Sequence, residues 1–164
     1  MEYIATAKKL AAKVFRYSNG LPKRYAFKLG NPVFEHAAEV VYHCNAANLT
    51  YVKDDASFAL RRNHLTEAEG HLQHVECLLG ILYEVTMQIH DEELSRLDAK
   101  LAERGLSVHD VMHPDVAQAL KSVQKAPNEN VFGEFADMIE LERNLIRGVK
   151  TRDTQAYNRM REKQ

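Results

Sequence analysis

Two sets of basic residues recur at the spacing of a single helix face. Both sets are spaced i, i+4, i+7: Lys9, Lys13 and Arg16 near the start of the chain, and Arg143, Arg147 and Lys150 near its end. Residues spaced in this way lie on one side of an α-helix. A row of cations on a helix face can contact the phosphates of a nucleic acid, and the alternative is an ordinary solvated face.

Further cations and aromatic residues follow the first set. Lys23, Arg24 and Lys28 extend it, and Tyr17, Tyr25 and Phe27 lie among these cations. Aromatic side chains stack on unpaired bases in many proteins that bind single strands. The cations predicted from their spacing to contact nucleic acid are Lys9, Lys13, Arg16, Lys23, Arg24, Lys28, Arg143, Arg147 and Lys150.

The charge is distributed unevenly along the chain. Residues 1–30 contain seven Lys/Arg and one acid, a net charge of +6, and residues 143–164 contain seven Lys/Arg and two acids, a net charge of +5. Residues 31–142 contain eight Lys/Arg and twenty acids, so the 164-residue chain has a net charge of only −1. Such a distribution indicates a surface for a polyanion or for an acidic protein.

Histidines and carboxylates recur at helical spacing in two predicted helices. One set is His36, Glu39 and His43, and the other is His71 and His74 with Glu67 one turn before them. Such residues on facing helices can hold a transition metal. The Glu-x-x-His signature of di-iron bundles does not occur in the sequence. Surface or interface histidines are therefore the default expectation, and the sequence predicts no metal site and no other cofactor.

One residue pair matches the spacing of a catalytic motif. Arg104 and His109 have the Arg-x4-His spacing that ribonucleases of the higher-eukaryote-and-prokaryote nucleotide-binding type place on a helix. Gly105 and Ser107 interrupt the helix between the two residues, so chance explains the spacing better. The sequence contains no Ser/His/Asp or Cys/His nucleophile pattern, no P-loop and no Gly-rich dinucleotide turn. A protein without a catalytic site is expected.

Helical periodicity extends over most of the chain and predicts the elements that position these residues. The spacing predicts long helices over about 2–17, from Asn31-Pro32 to about 45–48, over about 56–90, and over about 131–150. Two short helices are predicted within about 92–126, and a basic tail follows at 151–164. The prediction is an all-α protein: one domain over 1–164, a four-helix bundle with a short helical insert before the last helix.

Apolar positions and cysteines define the expected core and compartment. The third helix has the clearest apolar seam, formed by Leu65, Ala68, Leu72, Val75, Leu79, Leu82 and Ile89. Cys44 and Cys77 are expected to be buried free thiols. No apolar run approaches 18 residues, so no membrane partner is expected. With no apolar signal core at the start of the sequence, a cytoplasmic protein is predicted.

Several short motifs together resemble one four-helix-bundle superfamily. They are Leu-Pro-Lys-Arg-Tyr at 21–25, Ala47-Asn48 with Tyr51, Arg61-Arg62 with Glu67-Ala68, and the last-helix residues Phe135, Met138, Ile139, Glu142, Leu145, Ile146, Arg152, Asp153 and Tyr157. The superfamily includes the accessory variability determinant of diversity-generating retroelements and the proteins encoded in 23S rRNA intervening sequences. The resemblance covers about residues 1–90 and 131–158.

The resemblance implies a bundle that assembles into a pentamer without an active site. In retroelements this pentamer is a barrel that is a partner of the reverse transcriptase and binds template RNA and DNA through a basic surface. The resemblance implies that the corresponding contacts in this chain are Lys9, Lys13, Arg16, Lys23, Arg24 and Arg62. The expected function is therefore a non-enzymatic, oligomeric nucleic-acid-binding accessory protein of a reverse transcriptase. Two alternatives stay open: a protein-interaction scaffold of the same fold, and, more distantly, a metal-binding or ribonuclease bundle.

Overall fold

A computed structural model describes residues 1–162, and helices account for all the regular structure in that range. The elements are α1 (Glu2–Asn19), α2 (Lys23–Tyr25), a π-helical turn (Ala26–Gly30), α3 (Asn31–Leu49), α4 (Asp55–Ala102), α5 (Pro114–Leu120) and α6 (Glu129–Arg161). The all-α prediction is confirmed. None of the helices in the described range is both long enough and apolar enough to cross a membrane.

The chain divides into two compact units. The first contains residues 1–79 and the chain from residue 130 onward, and the second contains residues 80–129. Helix α4 runs through the boundary, so its first part belongs to one unit and its last part to the other. One domain over 1–164 with an insert at about 92–126 stays a prediction.

The core of the first unit draws on the four long helices. Fully or nearly fully buried side chains alternate with exposed ones at helical spacing in α1, α3, α4 and α6. They include Leu10 and Val14, Val33 and Val40, Leu65, Leu72 and Val75, and Phe135, Ile139 and Ile146. The predicted seam residues from Leu65 to Leu79 are buried in this core, and Leu82, which belongs to the second unit, is buried as well. Thr86, which lies between the predicted seam residues Leu82 and Ile89, is also buried, and its hydroxyl donates to the carbonyl of Leu82 at 2.8 Å.

The second unit has a small core of its own. Leu101, Val108 and Val116 are buried there, and half-buried leucines pack around them. The carboxylate of Asp98 accepts from the backbone N–H of Val108 at 2.9 Å and from the Ser107 hydroxyl at 3.0 Å. These bonds hold the loop after α4 against the last turns of that helix and lower the pKa of Asp98.

Helix α4 is longer than the sequence pattern predicts. It passes His90, the predicted end, without a break and continues to Ala102. The intervening residues are mainly good helix formers, and Leu94, Leu97 and Leu101 keep an apolar face for the second unit. The helix ends where Gly105 adopts a φ of +72° and the N–H of Leu106 bonds to the carbonyl of Leu101 at 3.0 Å.

The N-terminus of α4 is capped by Asp54, the residue that precedes the helix. The carboxylate of Asp54 accepts from the N–H of Ser57 at 2.8 Å, and the Ser57 hydroxyl accepts from the N–H of Asp54 at 3.0 Å. Asp55 instead accepts a hydrogen bond from the hydroxyl of Tyr157. The ring of Tyr157 also stacks on Phe58, with 4.1 Å between the ring centroids.

Those contacts explain why α6 extends beyond its predicted end at Lys150. Tyr157 is buried against α4, so the polar tail gains an apolar anchor that continues the helix to Arg161. The last two residues of the predicted tail, 163 and 164, lie outside the described residues.

Cys44 is buried as predicted, but the same prediction for Cys77 is wrong, since Cys77 lies on the exposed side of α4.

Candidate functional site

Seven cations form what we call the N-terminal basic surface. They lie on α1, on α2 and in the π-helical turn: Lys8, Lys9, Lys13, Arg16, Lys23, Arg24 and Lys28. All are exposed except Lys13, which is half-buried. Lys8 was not among the predicted contacts, because it lies outside the i, i+4, i+7 set of Lys9, Lys13 and Arg16.

The π-helical turn is held against the end of α1. The Ser18 hydroxyl donates to the carbonyl of Gly30 at 3.1 Å, and both residues are buried. A Cβ at position 30 would approach the Cβ of Ser18 to 3.1 Å and a methyl of Leu21 to 3.3 Å, so glycine permits this close approach. Pro32 lacks an N–H for the preceding turn, which accounts for the wider hydrogen-bonding pattern before it.

Most cations of this surface lack a carboxylate partner. Within residues 1–162, an ion pair forms at Lys13, which bonds to Glu134 on α6. Lys8, Lys9, Arg16, Lys23 and Lys28 form none with any described residue. The guanidinium of Arg24 lies 4.8 Å from the ring centroid of Tyr25. The surface therefore keeps most of its positive charge available to a ligand.

The three aromatic residues of this region differ in exposure. Phe27 is 77% exposed, whereas Tyr25 is buried. Tyr17 is half-buried, and its ring contacts Phe132 and Phe135 edge-on at 5.5 and 5.6 Å between centroids. Phe27 is therefore the ring of the three with the most surface for a base, and stacking by Tyr17 or Tyr25 stays a prediction.

The second predicted stripe, on α6, faces a different neighbour. The guanidinium of Arg143 bonds to Glu76 on α4 at 2.5 Å and to Glu140 at 2.7 Å. Lys150 bonds to Glu69 on α4, and Arg147 lies 3.7 Å from the same carboxylate. The stripe therefore lies along α4 and is compensated by acids there, instead of joining the stripe on α1.

Arg61 and Arg62 are adjacent in sequence and differ in environment. Arg61 is mostly buried and bonds to Asp153 on α6 at 2.6 Å and to the carbonyl of Ala47 at 2.6 Å. Arg62 is exposed and donates to the hydroxyl of Thr154 at 3.0 Å. We call the pairs of Arg61, Arg143, Arg147 and Lys150 with acids of the facing helix the α4–α6 seam.

Five of the eight histidines come together between α3 and α4. They are His36 and His43 on α3, and His64, His71 and His74 on α4. The Nδ1 atoms of His36 and His71 are 2.9 Å apart, and those of His43 and His64 are 3.1 Å apart. We call this group the histidine cluster. All its members are half-buried except His74, which is exposed.

His64 was missed by the sequence analysis, although a signal was present. His64, Glu67, His71 and His74 follow a 3-4-3 spacing on α4, so they share one face. Burial lowers the pKa of His43 and of His36, and the neighbouring histidines lower both further. Both effects favour the neutral form of His36 and of His43.

A buried acid lies elsewhere in the first unit. Glu142 on α6 has no exposed surface, and burial raises its pKa to about 7. The thiol of Cys44 donates to its Oε1 at 3.6 Å, whereas Oε2 has no partner among the described residues. Burial and the nearby carboxyl raise the pKa of Cys44, so this thiol is not activated as a nucleophile.

The Arg104–His109 pair is not on a helix. Both residues follow the end of α4, and Arg104 bonds to Asp115 at 2.8 Å. This placement agrees with the interruption expected at Gly105.

Comparison of the chain with protein-family models, with curated proteins and with solved structures returns no significant match.

Proposed function

We propose that this protein is a non-enzymatic nucleic-acid-binding accessory protein that uses its N-terminal basic surface. The observation that carries the proposal is the exposed ring of Phe27 among cations without carboxylate partners, Lys23 and Lys28 included. Cations neutralise phosphates, and an exposed ring stacks on a base whatever its identity. This combination favours a single strand over a duplex, because only unpaired bases present their faces.

The remaining predicted contacts contribute less to binding. Arg143 and Lys150 already bond to carboxylates of α4, so phosphate would have to compete with those acids. Arg147 is more exposed and its ion pair is longer, and Arg62 has no acidic partner among the described residues. We assign these two a secondary role at the edge of the binding surface.

The fuller proposal includes the fold arrangement and the partner implied by the resemblance. Four long helices that contribute to one core support a four-helix-bundle arrangement of the first unit. Apolar side chains on the outer face of α3 support assembly of copies, since Tyr42 and Leu49 are 60% and 73% exposed. The proposed assembly is a cytoplasmic homopentamer that acts beside the reverse transcriptase of a diversity-generating retroelement.

Charge reversal tests the binding surface. The variant Lys9→Glu/Arg16→Glu/Lys23→Glu is compared with Lys100→Glu/Lys121→Glu/Lys125→Glu, which changes the charge equally at exposed lysines of the second unit. Affinity for a labelled single-stranded RNA is measured by fluorescence anisotropy over a range of salt concentrations. The first variant should reduce the slope of log K against log salt by about 2, because single strands lose roughly 0.7 per phosphate contact. The control variant should keep the slope of the native chain.

A result in which both variants bind like the native chain excludes the N-terminal basic surface. Stacking is tested separately with Phe27→Ala, which should weaken binding by about 1–3 kcal/mol without changing the salt slope.

Light scattering during size-exclusion chromatography tests the assembly. A mass near five protomers supports the pentamer, and a monomer that ignores added RNA favours a protein-interaction scaffold instead.

A further inference from the structure

The histidine cluster is built from two facing rows of potential metal ligands. Helix α3 presents His36, Glu39 and His43, and α4 presents His64, Glu67, His71 and His74. The two helices run in opposite directions here, so His36 meets His71 and His74 while His43 meets His64 and His71. Ring centroids are 4.6 Å apart for His36–His74 and 5.5 Å apart for His43–His71.

Three of these imidazoles converge on one point. One ring nitrogen from each of His36, His71 and His74 lies within 4.8 Å of the corresponding atoms of the other two. Nitrogens that share a tetrahedral zinc ion at 2.0–2.1 Å are roughly 3.4 Å apart, so small side-chain rotations bring the three into ligating geometry.

The surroundings of the histidine cluster suit a bound cation. Each neutral imidazole carries one nitrogen lone pair, and the Nδ1 atoms of His36 and His71 lie 2.9 Å apart, a distance at which one nitrogen donates a hydrogen bond to the other. Exposed carboxylates flank the cluster, and that of Glu39 lies 4.0 Å from Nε2 of His43. These carboxylates attract cations to the cluster and can orient rings that ligate through their other nitrogen.

We propose that His36, His71 and His74 bind one divalent transition-metal ion, with Zn²⁺ the best-suited ion. Imidazole nitrogen suits Zn²⁺, whereas Mg²⁺ and Ca²⁺ prefer oxygen ligands. His74 is exposed, so the fourth coordination position faces solvent and is open to water or another ligand. A second possible set, Glu39, His43 and His71, shares His71 with the first, so one ion per chain is expected.

The ion would cross-link α3 to α4. His36 and His71 are 35 residues apart in sequence, so the bound ion ties together elements that are otherwise held by core packing. A ligand that binds only the folded chain raises its stability in proportion to the logarithm of ligand concentration over Kd. Zinc-dependent stabilisation is therefore a readout that needs no knowledge of activity, and it is independent of the nucleic-acid proposal.

Binding is tested on the full chain without an affinity tag, by calorimetric titration with ZnCl₂ and by melting curves with and without the ion. His74→Ala and His36→Ala remove ligands, and the exposed His74 can be replaced without disturbing the core. His109→Ala, an exposed histidine of the second unit, is the matched control. Cys77→Ser excludes a site on the exposed thiol, which lies one turn from His74.

The native chain, His109→Ala and Cys77→Ser should each bind one Zn²⁺ and should melt at a higher temperature when it is present. None of the three should respond to MgCl₂. Each ligand variant should bind Zn²⁺ more weakly by more than the roughly 10–100-fold that loss of a supporting residue costs. The proposal is overturned if the native chain binds no Zn²⁺ or if both ligand variants bind it normally. It is also overturned if Cys77→Ser loses binding, or if His43→Ala loses binding while His74→Ala keeps it.

Discussion

The N-terminal basic surface and the α4–α6 seam contain cations at the same sequence spacing in opposite environments. On α1, Lys9 and Arg16 are exposed and meet no carboxylate among the described residues. On α6, Arg143 and Lys150 bond to Glu76 and Glu69 of the facing helix. The i, i+4, i+7 pattern therefore identifies a helix face, and the neighbouring element decides whether that face binds a ligand or stabilises the fold.

Arg61 and Arg62 give the most direct test of this difference. Arg61→Ala should destabilise the protein by about 3 to 4 kcal/mol, because it leaves the half-buried carboxylate of Asp153 and the carbonyl of Ala47 without their partner. Arg62→Ala should change stability by less than about 0.5 kcal/mol, as is usual for exposed positions. Urea unfolding of both variants measures the two effects. Equal losses of stability in the two variants would contradict the assignment of Arg61 to the α4–α6 seam.

Glu142 sharpens the comparison because it precedes Arg143 on α6 and yet reaches no cation. Its folded-state pKa of about 7 lies above the ordinary value of 4.5, so the folded chain holds this proton more tightly than the unfolded chain does. The resulting stabilisation is complete below about pH 4.5 and is lost as pH rises through 7. Its size is roughly 3 kcal/mol.

Glu142→Gln isolates this contribution, since the amide stays neutral at every pH. The difference in free energy of unfolding between variant and native chain should shift by about 2.5 kcal/mol in favour of the variant between pH 5 and pH 8, because part of the full effect is already lost at pH 5. Urea unfolding over that range measures it. A difference that does not change with pH would show that Glu142 is ionised, or solvated, in the folded protein.

Arg143 and Arg16 compare one position from each stripe. Arg143→Ala removes two ion pairs from a side chain that is only 17% exposed, so a loss of about 1 to 2 kcal/mol is expected. Arg16→Ala should leave stability within about 0.5 kcal/mol of the native chain and should instead weaken RNA binding. Thermal melts measure the stability of both variants, and fluorescence anisotropy measures their affinity for RNA. Destabilisation by Arg16→Ala would mean that α1 uses its cations as α6 does.

The helices could be predicted from the sequence wherever apolar residues recur in register. The buried seam from Leu65 to Leu82 was predicted residue by residue, because a 3-4 rhythm produces one apolar face whatever lies opposite it. Element ends were less predictable. Helix α6 continues past Lys150 since Tyr157 is buried against α4, more than fifty residues earlier in the chain, and no local pattern contains that contact.

The candidate sites also depend on contacts that no local sequence pattern contains. The exposure of Phe27 and the burial of Tyr25, two residues apart, depend on how the π-helical turn lies against α1. His64 was missed because its relation to His43 requires α3 and α4 to be antiparallel neighbours. The sequence shows the 3-4-3 spacing of the α4 residues His64, Glu67, His71 and His74. Spacing along one helix, however, does not predict which other helix packs against that face.

The sequence by itself determined the helical class and which cations and histidines share a helix face, because both depend on 3.6-residue periodicity over a few turns. The tertiary structure decided which face meets acids, which meets other imidazoles and which stays exposed. Those outcomes arise from contacts between residues 21 to 121 positions apart, such as His43–His64 and Lys13–Glu134. They exist only once the core has set which helices are neighbours, and that choice is made by packing.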